Sequence, residues 1–180
     1  MIIRRETAAD IAAIEELTIT AFQSLAISQH TEQYVIQALR QAQVLTVSLV
    51  AEFGGRVVGH VAFSPITLSD GSPHWYGLGP ISVWPEYQRR GIGKSLVHEG
   101  LRSLKALGAQ GCALVGDPNY YQRFGFRNHA QLVYEGIPQA YFLVLPFVER
   151  VPKGTVTFHE GFAARSDSRA LATDTQMSSN

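Results

Sequence analysis

The segment 91–107 constrains the fold most, because it has the pattern of an amphipathic helix and lies between two apolar runs. Its apolar side chains recur at helical spacing, and Gly108 suits the position just after a helix C-terminus. The runs on either side, 75–83 and 111–115, have the composition of strands. This order predicts two adjacent parallel strands joined by a crossover helix.

Antiparallel strands and two further helices are predicted around this unit. Helical spacing of apolar residues begins at Ile11, after capping side chains, and recurs at 31–41. The other strands are predicted at 2–5, 44–53, 56–65 and 141–148. Gly54 and Gly55 join two of them as a tight hairpin turn. Together these elements predict an α/β fold with a mixed, mostly antiparallel twisted sheet flanked by helices.

The strand predicted at 75–83 contains residues that weaken regular pairing. Gly77, Gly79 and Pro80 predict a bulge in it. A bulge leaves backbone N–H and C=O groups unpaired, so this strand is expected to offer them to a ligand.

Charge and cysteine content exclude several classes of function. Fifteen basic and fifteen acidic residues cancel, so no overall positive field favours nucleic acid or an anionic membrane. The single Cys112 lies in an apolar run, which is typical of a buried residue and not of a nucleophile. Since no signal-peptide or membrane-spanning pattern is found, a cytoplasmic protein is predicted.

The turn Gln88-Arg89-Arg90-Gly91-Ile92-Gly93, ahead of the predicted helix, suits an anion. A helix N-terminus presents unpaired N–H groups, and glycines let a phosphate approach them closely. A P-loop would need glycine at Gln88, and a dinucleotide fingerprint would need it at Leu96. Both alternatives therefore fail on spacing.

The run from Ile81 to Gly93, with its Gln-x-x-Gly-x-Gly turn, closely resembles the GNAT superfamily of N-acetyltransferases. The resemblance implies that the turn amides hold the pyrophosphate of acetyl-CoA, while the preceding strand pairs with the pantetheine arm. Two splayed parallel strands would form the cofactor cleft. The implied cofactor-binding residues are Ile81, Ser82, Val83, Gln88, Arg89, Arg90, Gly91, Ile92, Gly93, Lys94 and Ser95.

A second motif, from Tyr120 to Phe126, resembles the later signature of the same family. It implies that Tyr121 protonates the departing thiolate and that Asn119 bonds the pantetheine. The Gly116-Asp117-Pro118 run before the tyrosine pair is similar to that of an uncharacterised bacterial subgroup, whose substrates do not follow from the motif.

The general base is less clearly indicated. Many relatives place a glutamate on the strand that corresponds to 75–83, and this chain has no carboxylate there. Asp117 is the best of three candidates, with Glu52 and Glu86, and deprotonation through water is equally admissible. His60 and His74 have no partner at ligand spacing, so no metal is predicted.

The predicted function is N-acyl transfer from acetyl-CoA to a primary amine of a small molecule or protein, by direct attack without a covalent acyl-enzyme. The alternative is a noncatalytic acyl-CoA sensor or partner-binding module with the same fold. The acetyltransferase domain is expected at 1–148, an extension with an edge strand at 149–165, and a disordered tail at 166–180. A homodimer is compatible with this organisation.

Overall fold

The computed structural model describes residues 1–165, which form eight strands and four α-helices. In chain order these are β1 (Ile2–Arg5), α1 (Ile11–Gln23), α2 (Glu32–Gln41), β2 (Val47–Phe53), β3 (Arg56–Leu68), β4 (Trp75–Val83), α3 (Ile92–Ala106), β5 (Gly111–Val115), α4 (Pro118–Tyr121), β6 (Leu132–Val133), β7 (Phe142–Pro146) and β8 (Gly154–Phe158). The tail predicted at 166–180 lies outside the described residues. No helix within residues 1–165 is both long and apolar enough to cross a bilayer.

The predicted mixed sheet is confirmed. Its strand order is β1-β2-β3-β4-β5-β7, and β4 and β5 are the parallel pair in this order. They pair only from Trp75 to Gly77 with Gly111 to Ala113. Beyond Gly77, β4 continues to Val83 without β5 beside it, so a cleft opens between the two strands.

The predicted bulge lies in β4. The register between β3 and β4 shifts by one residue between Val61 and Phe63, opposite Gly79 and Pro80. After the shift, Ser82 lies directly across from His60. The bulge therefore decides which side chains of β4 face each side of the sheet.

The helix α3 packs closely on one face of the sheet. A Cβ added to Gly100 would overlap the Phe63 ring, and one added to Gly59 would lie 3.0 Å from side-chain atoms of Ile92 and Leu96. Because side chains alternate along a strand, His60 faces the opposite side. The helices α1 and α2 cover that side, and Ile14 and Leu17 of α1 are buried in the core.

Several element boundaries differ from the predictions. β2 begins at Val47 and not at residue 44, because the Val44 amide bonds Leu39 at the end of α2. β3 extends to Leu68, since its last residues pair with β8. β8, predicted as an edge strand, is paired on both sides, with β3 and with the short unpredicted strand β6.

Candidate functional site

A cavity of about 560 Å³ lies where the cleft beside β4 meets the N-terminus of α3. Most of its lining residues were predicted to bind the cofactor, and three others, Tyr87, Tyr120 and Arg123, were not. The lining consists of Ile81, Ser82, Val83, Tyr87, Gln88, Arg89, Gly91, Ile92, Gly93, Lys94, Tyr120 and Arg123. The structure thus brings the strand and the turn to one site.

The turn presents free amides to this cavity. Gly91 caps α3 with a left-handed φ of 80°, a conformation that favours glycine. The first amide bonded back into the helix is that of Ser95, which donates to the Gly91 carbonyl at 2.9 Å. The amides of Ile92, Gly93 and Lys94 precede it and have no intrahelical acceptor. Such amides, at the positive end of the helix dipole, suit an anion.

Gln88 fixes the shape of the turn. Its side-chain Nε2 donates to the Val83 carbonyl at 3.1 Å, which ties the turn to the end of β4. Arg90 stacks its guanidinium 5.3 Å from the ring centre of Tyr87. Arg90, Ser95 and Asn119 are the predicted cofactor residues that do not line the cavity.

Three cationic side chains line the cavity without a carboxylate among the lining residues. They are Arg89, Lys94 and Arg123. Three positive charges beside free helix amides suit a ligand that carries several phosphates.

The tyrosine pair divides between the cavity and the core. Tyr120 lines the cavity, and a Cβ added to Gly93 would lie 3.3 Å from its hydroxyl. Tyr121 packs behind it against Phe126 and over Gly116, and burial raises its pKa. Its side chain is therefore held in its protonated form at neutral pH.

Tyr120 and Arg123 line the cavity but were not predicted from the sequence to do so. The Arg123 guanidinium lies 4.6 Å over the Tyr120 ring, and its Nε donates to the Tyr120 carbonyl at 2.9 Å. A signal was available in their spacing, because residues three apart on a helical turn share one face. That face points at the turn before α3.

The three candidate carboxylates all have structural partners. Asp117 caps α4 by accepting the Asn119 amide at 2.9 Å. Glu52 pairs with an arginine at 2.9 Å, and Glu86 pairs with Arg56 at 3.2 Å. None of the three lines the cavity, so the geometry favours a capping role for Asp117. Among residues 1–165, no group of three or more His, Cys, Asp or Glu could hold a metal ion.

Comparisons with known proteins agree on one family. Residues 11–126 match the Acetyltransferase (GNAT) family. The chain is 38% identical over 127 residues to the uncharacterized N-acetyltransferase YhbS of Escherichia coli (strain K12), which spans 70% of this chain and 73% of that protein. In structure it is similar to a GNAT family acetyltransferase from Brucella melitensis crystallised with acetyl-CoA, at a TM-score of 0.80, 45% identity, and coverage of 89% and 97%. It is also similar to E. coli YhbS crystallised with CoA, at a TM-score of 0.83, 32% identity, and coverage of 92% and 93%.

Proposed function

Because this chain belongs to the GNAT family of acetyltransferases, we propose that it transfers the acetyl group of acetyl-CoA to a primary amine of a small molecule or protein. One observation carries the proposal: the free amides at the start of α3 and the free edge of β4 open onto the same cationic cavity. The amides suit a pyrophosphate, and the strand edge suits the peptide-like pantetheine arm.

Each part of the cavity has a proposed task. Ile81, Ser82 and Val83 bind the pantetheine arm through the backbone of β4. The amides of the turn hold the pyrophosphate, and Arg89, Lys94 and Arg123 neutralise its charge, with Tyr120 closing the cavity above Gly93. Cofactor binding by Arg90, Ser95 and Asn119, which do not line the cavity, remains a prediction from the sequence.

Proton transfer to the leaving thiolate is the proposed role of Tyr121. Its raised pKa keeps the phenol protonated, and a thiolate needs a proton as it departs. Direct attack by the amine is favoured over an acyl-enzyme, since burial raises the pKa of Cys112 and leaves its thiol unreactive.

Asp117 stays the predicted general base, beside deprotonation through water. Its role can be separated from its capping bond, because asparagine caps a helix about as well as aspartate. Asp117→Asn should therefore keep the fold, and a fall in kcat would support a role as base. Unchanged kcat would leave Asp117 as a cap alone.

Titration calorimetry with acetyl-CoA tests the central claim. We expect binding with a Kd that rises with salt, because several cations contact phosphates. Folded protein that binds no acetyl-CoA would contradict the proposal.

A noncatalytic acyl-CoA sensor is the second candidate, and the cavity lining without a carboxylate is the observation that favours it. Thiol release from acetyl-CoA with a panel of amines and peptides separates the two. A sensor binds acetyl-CoA but releases no CoA above the blank rate with any acceptor. The cytoplasmic location and the homodimer stay predictions.

A further inference from the structure

A row of polar side chains crosses the sheet on the face opposite α3. His60 of β3 lies directly across from Ser82 of β4, and its ring contacts Ser48 of β2, which contacts Glu6. Ser82 lines the acetyl-CoA cavity, whereas Glu6 lines a separate surface cavity of about 350 Å³. The row therefore runs from the cleft to a second opening on the surface.

Hydrogen bonds in this row fix the position of the proton on His60. The Ser48 hydroxyl donates its one proton to the Glu6 carboxylate at 2.5 Å, and Arg40 holds that carboxylate through two bonds of 3.0 Å. Ser48 must then accept from Nε2 of His60, which lies 2.8 Å away. Burial lowers the pKa of His60, so the ring is neutral and its Nδ1 carries a lone pair.

Two buried atoms of the row have no hydrogen-bond partner within residues 1–165. They are Nδ1 of His60 and Oγ of Ser82. Residues directly opposite in an antiparallel pair have Cβ atoms about 4.5–5.5 Å apart, so rotation of the Ser82 side chain brings its hydroxyl within reach of Nδ1. A donor and an acceptor, both buried, thus lie on paired residues of neighbouring strands beside the cleft.

We infer that Ser82 and His60 take the proton from the attacking nitrogen, with Glu6 stabilising the ring that receives it. The inference rests on the proposed acetyl transfer, and it supplies a base in place of Asp117, which does not line the cavity. The Ser82 hydroxyl is buried in the resting protein and reaches the attacking nitrogen when its side chain rotates towards the cleft, and His60 acts through it.

The proton balance of this step is complete. An ammonium acceptor loses two protons as it becomes an amide nitrogen, and one of them ends on the CoA sulfur. For the other, the N–H bond breaks as an O–H bond forms on Ser82, whose own proton moves to Nδ1 of His60. The charged ring then faces the Glu6 carboxylate, 3.5 Å from Nε2. The His60 ring returns the proton through Ser82 to water when CoA and the acetylated product leave the cleft.

Two charged groups act on the His60 ring, and they oppose each other. Glu6, just after β1, favours the protonated ring, and Arg40 of α2 disfavours it. Because Arg40 is bonded to Glu6 itself, its charge is largely matched there. The ring can thus hold a proton briefly without keeping it at rest.

The tautomer and the Ser82 contact can be measured without an acceptor amine. In ¹⁵N-labelled protein, long-range ¹H–¹⁵N correlations should show His60 neutral and protonated at Nε2. Ser82→Ala should move the Nδ1 resonance. Ser64→Ala is the control and should leave the Nδ1 resonance unchanged. Ser64 lies on the same face of β3 as His60, and its Oγ is also buried without a partner, but it lies across from Gly77 and not from Ser82. Two results would overturn the inference: a His60 ring protonated at Nδ1, or an Nδ1 resonance that does not move in Ser82→Ala.

Kinetics with the amine of the panel that gives the greatest thiol release provide the second measurement. Ser82→Ala and His60→Gln should each lower kcat on the order of 10²-fold at pH 7, with the Kd of acetyl-CoA unchanged, and Ser64→Ala should match wild type. The loss of kcat in Ser82→Ala and His60→Gln should become smaller as pH rises, since hydroxide then takes the proton from the attacking nitrogen. A deficit equal at every pH indicates a packing defect and refutes the inference. Loss of acetyl-CoA binding in wild type would instead contradict the proposed function.

Discussion

Gly93→Ala should weaken acetyl-CoA binding without destabilising the fold. The added Cβ would lie 3.3 Å from the Tyr120 hydroxyl and 3.9 Å from a Val83 methyl, so it fits after a shift of a few tenths of an ångström. In the first turn of α3, alanine is favoured over glycine by up to about 1 kcal/mol. The melting temperature should therefore stay the same or rise, by up to about 4 °C.

Binding of acetyl-CoA to this variant should change in the opposite direction. The new methyl group lies in the cavity wall, where the phosphate must approach the free amides. Losing one hydrogen bond to a charged group costs about 1.5–3 kcal/mol, which raises the Kd roughly 10- to 150-fold. Titration calorimetry and thermal unfolding measure the two effects separately.

Gly100→Ala is the matched control, because it makes the same change in the same helix. Its Cβ would overlap the buried Phe63 ring, and overpacking costs about 1–3 kcal/mol against a gain of about 1 kcal/mol from helix propensity. We expect a lower melting temperature with wild-type affinity. Wild-type affinity in Gly93→Ala would refute the placement of the phosphates on this turn.

Four further predictions follow from single side chains. Tyr121→Phe should lower kcat about 10²-fold while the Kd of acetyl-CoA stays constant, measured by thiol release and calorimetry. Arg123→Ala should raise the Kd by up to about 5-fold and weaken its salt dependence. Burial would raise the pKa of Glu6, but hydrogen bonds from His60, Arg40 and Ser48 outweigh it and lower the pKa from 4.5 to about 2. The resulting stability, at most about 3 kcal/mol because solvent partly screens the group, is complete above pH 4.5 and is lost as pH falls towards 2, so urea unfolding should show a smaller acid loss for Glu6→Gln. Cys112 should resist thiol reagents in native protein and react once urea unfolds it.

The crossover unit could be predicted from the sequence because its signals are local. The period of apolar residues in α3 and the spacing of Gly91 and Gly93 report directly on helix and turn geometry. The bulge at Gly79 and Pro80 was predictable for the same reason. Less certain were the ends of the strands: Val44 and Leu45 are apolar, but the Val44 amide bonds Leu39 at the end of α2, and β2 begins only at Val47.

The division of the tyrosine pair could not be predicted in this way. The side chains of adjacent aromatic residues on a short helix differ only in the direction in which they point. The open space above Gly116 and the contact with Phe126 draw Tyr121 into the core, and Tyr120 is left facing the turn. Which ring lines the cavity is thus a result of long-range packing.

The sequence by itself determined the family, the crossover and the turn that suits a pyrophosphate, because each depends on residues close together in the chain. Only the tertiary structure brought Glu6, Ser48, His60 and Ser82 into one row. These residues are up to 76 positions apart, and strand register alone sets which of them are neighbours. A one-residue change of register would turn His60 to the other face, so no local pattern could have revealed the row.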